Sequence, residues 1–294
     1  VKDEKSNNLV LNQGTIDLIS LALKEDLGPE CLIVGDITTS STIKPNAKGK
    51  AEIIAKEDLV ICGHSVAEHI FKFFDPSCNY EIRHKDGELV HKGQVVCTIG
   101  GIHQALLVGE RVSLNFMQRL SGIATTTAKL VRLAGKGVQL LDTRKTTPGM
   151  RQLEKYAVQV GGGTNHRFGL YDEVLIKNNH IDSLNGDVKK AIELSRKHNP
   201  KGTKIIVEVR NQSELEAAVE ENPDVILLDN YFPTEMNDAV WFVRNKNPNV
   251  KVEASGGINE ENLMAYVATG VDRISLGALT HSVRSVDLSM RITS

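Results

Sequence analysis

The sequence predicts an α/β protein in which a series of parallel βα units, closed as a barrel or opened as a doubly wound sheet, follows a smaller α+β region. Three observations carry this. Six short apolar or β-branched runs occupy the second half, and the last four end 20 to 25 residues apart, with helical patterns between them. A polar residue stands at the carboxyl end of each run. The first hundred or so residues instead alternate short strand-like runs with turn residues and two amphipathic helices.

In chain order, residues 15–27 place Ile16, Ile19, Leu23 and Leu27 on one helical face. Residues 49–54, 59–61, 81–83 and 95–99 read as strands, and residues 66–74 as a helix stopped before Pro76. Residues 110–134 read as a long helical stretch broken near Ser121-Gly122. This stretch is the natural join between an N-terminal domain, 1–115, and a barrel domain, 116–294, with the extreme C-terminus packing back on the first. The parallel strands are residues 138–142, 173–177, 204–209, 224–229, 250–254 and 272–276. Ser213-Glu-Leu-Glu216 forms a capping box, Thr234 opens the next helix, and Asn259 caps another that stops at Gly270. Because polar residues from all six strand ends converge on one rim, a barrel is favoured over an open sheet.

Composition excludes several function classes. The 294 residues carry 35 Lys+Arg against 37 Asp+Glu, a net charge of −2 with no global field for nucleic acid or an acidic membrane. An aromatic content of 4% is poor for stacking single-stranded bases. No run reaches the roughly 18 apolar residues of a membrane span, and the polar start, Val1-Lys-Asp-Glu-Lys-Ser-Asn-Asn, has no signal-peptide core. Cys31, Cys62, Cys78 and Cys97 form no C-x-x-C pair and read as reduced core thiols. A soluble, cytoplasmic protein is expected.

The chemistry concentrates at the strand ends. Asp142-Thr-Arg-Lys-Thr-Thr-Pro-Gly149 leaves a buried strand and at once presents Thr143, Arg144 and Lys145. Gly161-Gly-Gly-Thr-Asn-His166-Arg167 and Lys177-Asn-Asn-His180 add further cationic or protonatable groups. Four cations on one rim repel one another unless a multiply charged anion neutralises them, and the competing reading is surface pairing with Asp142, Asp172 and Glu173. Glu208 and Asp229 end successive apolar strands, where an unpaired acid is costly, so they suit sugar hydroxyls or Mg²⁺; helix capping or lysine pairing is the alternative. Ser255-Gly256-Gly257 and Gly277-Ala278 let backbone N–H groups approach phosphate, though tight turns need glycine equally. His281 lies beside the second of these loops. No zinc spacing, nucleophile elbow, Walker A or dinucleotide fingerprint is present.

These motifs, with Glu110-Arg111-x-x-Leu-Asn115, Ser121-Gly-Ile-Ala-Thr125, Gly35-Asp36-Ile-Thr-Thr39 and Glu253-Ala-Ser-Gly-Gly-Ile258, resemble the quinolinate phosphoribosyltransferase family over nearly the whole chain. The resemblance implies an α+β domain before an incomplete βα barrel, and a homodimer or higher oligomer in which Arg111 reaches the partner's site. It implies that Arg144, His166 and Arg167 line a dicarboxylate pocket, with Lys177 between two substrates. Lys145, Ser255, Gly256, Gly277 and His281 then surround phosphoribosyl pyrophosphate, with Thr143, Gly257 and Ala278 beside them. Glu208 and Asp229 hold its ribose. Lys177, Glu208 and Asp229 are the implied catalytic set, and Mg²⁺ enters mainly through the substrate's pyrophosphate rather than a protein metal site. The chain departs from the family's usual pattern at Asn178 and at Ile206, both commonly acidic.

Overall fold

The computed structural model describes residues 9–293; the polar segment 1–8 read above lies outside them. Two compact units emerge. The first comprises the described residues up to Ala128, together with Thr146–Gly162 and the segment from Leu279 onward; the second comprises Lys129–Lys145 and Gly163–Ala278. Relative to a cut at 115/116, the first unit therefore runs further and takes in two later segments.

The chain opens with α1 (Gln13–Leu27), capped where the Asn12 side chain accepts from Thr15 N, and α2 (Ile37–Thr42), capped by Asp36. There follow β1 (Lys48–Ala55), β2 (Leu59–Val60), α3 (His64–Phe74), β3 (Asn79–Ile82), β4 (Leu89–Val90) and β5 (Val95–Ile102). The long helix α4 (His103–Ala134) leads to β6 (Gln139–Leu141) and α5 (Arg151–Val160). Then come β7 (Val174–Ile176), α6 (Asn178–Asp182), α7 (Val188–His198), β8 (Ile205–Val209), α8 (Gln212–Glu220), β9 (Val225–Asp229) and α9 (Pro233–Lys246). The chain ends with β10 (Lys251–Ser255), α10 (Leu263–Val267), β11 (Arg273–Ser275), α11 (Ala278–His281) and β12 (Leu288–Thr293).

In the first unit a four-stranded antiparallel sheet has the order β12-β1-β5-β3, so the chain's end pairs with its first strand. Ala51, Ile53, Ile99, Phe71 and Met117 belong to its core. The four cysteines are all buried thiols. The expected break in α4 is absent, because Ser121 and Gly122 serve packing instead. The buried Ser121 hydroxyl accepts from Cys62 N at 2.9 Å and donates to Cys62 O at 3.1 Å. A Cβ on Gly122 would stand 2.3 Å from Arg284 O, so only glycine admits the returning chain. Gly161 is likewise a contact glycine, since a Cβ there would meet Ala124 O at 2.5 Å.

In the second unit six parallel strands run β6-β11-β10-β9-β8-β7. Read as a ring, the sheet is closed at β6–β11 and open between β6 and β7. Thr164 spans part of that gap, donating to Leu140 O at 2.8 Å and accepting from Asp142 N at 3.2 Å. The result is an incomplete parallel βα barrel. Every residue of β8 is buried, Glu208 included. The cap of α8 differs from the expected Ser213: Asn211, two residues earlier, accepts from Glu214 N, and Glu214 reaches back to Arg210 N.

Candidate active site

The carboxyl ends of the barrel strands open onto a cleft of about 680 Å³. Of the sequence-predicted residues, Thr143, Arg144, Lys145, His166, Arg167, Lys177, Glu208, Asp229, Ser255, Gly256 and Gly257 line it together. Most follow a strand end, whereas His166 and Arg167 come from the segment between α5 and β7. Thr143 Oγ1 accepts from Lys145 N at 3.0 Å, which turns the chain as it leaves β6. Asp142, fully buried, accepts from His166 N at 2.8 Å and from Asn165 Nδ2 at 2.7 Å, tying the 165–167 turn to that strand.

Arg167 is buried. Its Nη1 donates to Glu173 O at 3.1 Å, while its Nε has no hydrogen-bond partner. Burial, and next the nearby charge of Arg144, hold the Arg167 pKa below its ordinary value. Glu173 itself pairs with Lys204, at 2.9 Å, and Asp172 accepts from Phe168 N. Glu173 and Asp172 act on Arg167 through their charges, and the guanidinium's hydrogen bond goes to the backbone of Glu173 rather than to a carboxylate.

The Lys177 ammonium stands 3.1 Å from Glu208 Oε2, and Glu208 is buried. Asp229 is pushed above the ordinary carboxylate range, first by burial and then by the charge of Glu208. Lys177 N donates to His180 Nδ1 at 2.8 Å, which fixes the turn into α6. Gly256 has φ +98°, and a Cβ there would fall 2.1 Å from Asn230 Oδ1, so this turn requires glycine.

Profiles of the N-terminal and C-terminal domains of quinolinate phosphoribosyl transferase match residues 36–121 and 123–291. The chain belongs to the quinolinate phosphoribosyltransferase family. It is 44% identical over 270 residues to the probable nicotinate-nucleotide pyrophosphorylase (carboxylating) of Bacillus subtilis, covering 92% of this chain and 90% of that one. Its identity to the protein of the same description from Methanocaldococcus jannaschii is 41%, covering 96% and 99%. The solved nicotinate-nucleotide pyrophosphorylase of Francisella tularensis superposes with TM-score 0.89 at 36% identity, covering 98% of this chain and 99% of that one.

Four family-implied residues lie away from the cleft wall or outside the second unit. Gly277 and Ala278 follow β11 but do not line the cleft; Ser275, unflagged in the sequence, does. His281 is exposed in the first unit, its Nδ1 2.6 Å from Ser282 Oγ, and Arg111 is exposed on α4. The wall also includes Leu175, Asn178, Asn179, Leu227 and Asn230. Ile206, two residues before Glu208, is fully buried.

Proposed function

We propose that this enzyme transfers the phosphoribosyl group of phosphoribosyl pyrophosphate to quinolinate with loss of CO₂, giving nicotinate mononucleotide and pyrophosphate. The observation that carries the reading is the cleft's charge pattern: Arg144, Lys145, Arg167 and Lys177 on one rim, against Glu208 and Asp229. Quinolinate is a dianion and its co-substrate carries more charge still, so two polyanions relieve the cation repulsion that the ligand-free cleft sustains.

Arg144 and Arg167 would grip the two carboxylates, with His166 forming the wall beside them. Lys145 and the backbone of Ser255–Gly257 would hold phosphate, with Thr143 beside them. Glu208 and Asp229 would accept hydrogen bonds from the ribose hydroxyls, and Lys177 would stand between the substrates. The pyridine nitrogen attacks the anomeric carbon as the bond to pyrophosphate breaks, through an oxocarbenium-like state stabilised by this fixed charge. The N-ribosylated ring is cationic and accepts the electron pair of the C2–carboxylate bond when CO₂ departs, after which C2 takes a proton from solvent. No covalent enzyme intermediate is needed.

Among the described residues no group of three or more His, Cys, Asp or Glu is arranged to hold a metal. Mg²⁺ would enter mainly on the pyrophosphate, because it keeps waters and needs few protein ligands; the cleft's carboxylates, Glu208 and Asp229, could meet it through such waters. Bound there it would neutralise charge on the leaving group. The same reading includes a homodimer or higher oligomer in which Arg111 of one protomer reaches the cleft of its partner. It also includes a cytoplasmic location without nucleic-acid or membrane partners, in keeping with the near-balanced charge; no described helix is long and apolar enough to cross a membrane.

The test is to incubate purified protein with quinolinate, phosphoribosyl pyrophosphate and Mg²⁺ and to follow CO₂ release and nicotinate mononucleotide. Stoichiometric appearance of both supports the assignment. Quinolinate binding without turnover refutes it, and a trapped ribosyl-enzyme adduct refutes the direct displacement.

A further inference from the structure

The lumen of a βα barrel is ordinarily packed with branched apolar side chains. Here it holds charge. Glu253, at the middle of β10 and fully buried, pairs in register with Arg273 of β11. Arg273 Nε lies 3.0 Å from Glu253 Oε2, with an alignment too poor for a hydrogen bond. The other oxygen, Oε1, accepts from Ser275 Oγ and stands 3.4 Å from His166 Nε2. Burial alone would raise the carboxyl's pKa. The hydrogen bond from His166, the charge of Arg273 and the Ser275 hydroxyl outweigh it, so the group stays ionised in the barrel.

His166 supplies the link to the cleft. Its Nδ1 accepts from Arg167 N at 2.8 Å. A ring nitrogen that accepts a backbone N–H carries no proton, so the neutral imidazole bears its hydrogen on Nε2, facing Glu253. Both nitrogens are engaged by the protein although the ring lines the cleft. With Asp142 accepting from His166 N, two buried carboxylates hold one residue from opposite sides, and the next residue is Arg167.

We propose that Glu253 is a positioning residue for the anion pocket: it locks His166 as the Nε2–H tautomer and thereby fixes the backbone and guanidinium of Arg167. Glu253 does not itself line the cleft. Its kinetic consequence rests on the quinolinate reading, whereas the tautomer lock does not. His166 accordingly acts as a rigid wall and anchor rather than as a proton donor to substrate.

The experiment uses the full chain as wild type, Glu253→Gln, Arg273→Met and the double variant, in which neither buried charge is stranded. ¹⁵N spectra of histidine-labelled, ligand-free protein report the His166 tautomer, with the resonance assigned by its loss in His166→Asn. Steady-state assays report KM for each substrate, and thermal melts report folding. The wild type and Arg273→Met should show the Nε2–H pattern. Glu253→Gln and the double variant should show mixed tautomers, with KM for quinolinate raised about tenfold, the scale of one buried charge-assisted hydrogen bond, and KM for phosphoribosyl pyrophosphate much less affected. A folded Glu253→Gln or double variant with the wild-type tautomer and KM overturns the proposal. So does a fall in activity that merely tracks the folded fraction. If the wild type forms no product, the functional reading fails and the tautomer result alone decides for or against the lock.

Discussion

At the amino ends of the barrel strands, Lys204, Lys251 and Arg273 line a groove of about 840 Å³, and each has an acid: Glu173 at 2.9 Å, Asp272 at 3.4 Å and Glu253 at 3.0 Å. Asp272 also takes Arg244 at 2.6 Å and is held below the ordinary carboxylate range despite its burial. At the carboxyl ends the smaller cleft sets Arg167 against Arg144, and burial, then the charge of Glu208, drives Asp229 upward. Each of these three groove cations has an acid within ion-pair distance, whereas the hydrogen bond of Arg167 in the cleft goes to a backbone carbonyl and its neighbouring charge is another guanidinium. What distinguishes a ligand site here is charge whose compensation is still owed, rather than volume.

The sharpest way to break this comparison is Arg144→Ala. Quinolinate affinity, measured by calorimetry, should fall by more than ~2 kcal/mol, because a charge-assisted contact is lost. Lys251→Ala in the opposite groove should leave that affinity unchanged. Equal losses would mean that the two mouths do not differ in kind.

Backbone strain gives the next contrast. Gly256→Ala combines φ +98° with a Cβ 2.1 Å from Asn230 Oδ1, whereas Gly202→Ala has φ +90° and open space. Denaturant unfolding should show about 2–3 kcal/mol lost at Gly256 and about 1 kcal/mol at Gly202. The Gly256 variant should also raise KM for phosphoribosyl pyrophosphate.

Asp229 sharpens the comparison through pH. Its folded pKa lies above the ordinary Asp value, so its contribution to stability is fully present below about pH 3.9 and is lost as pH rises through the raised value. Asp229→Asn should therefore melt higher than wild type at neutral pH without substrate, and the gain should shrink on acidification. Wild-type melting that is insensitive to this substitution would show that the acid pair carries no strain. The smallest effect belongs to the finished mouth: Lys204→Ala should shift unfolding by within about 0.5 kcal/mol, as exposed ion pairs do.

Much of this arrangement was legible in the sequence. Fully buried parallel strands must be continuous apolar runs, so β8 and β9 declared themselves, and the abrupt polarity of Glu208 and Asp229 marked their carboxyl ends. Residues doing tertiary work were harder to read. Ser121 and Gly122 look like a helix break, yet one hydrogen-bonds Cys62 and the other admits residue 284. Glu253 looked like the lead-in to a glycine turn, because local pattern does not reveal what crosses a barrel lumen. Its alternation with Ser255, between the buried Val252 and Ala254, was the available signal. The period of two puts both residues on the lumen face.

The most direct test of the central claim is the melting temperature of wild type and of an Arg144→Ala/Arg167→Met double variant, each with and without quinolinate at low salt. The wild type should start lower, since it holds the buried Arg167 guanidinium beside that of Arg144, and should rise on adding quinolinate, while the variant should start higher and not respond. An equal rise in both proteins would contradict the account, because the dianion would then be bound by something other than that pair.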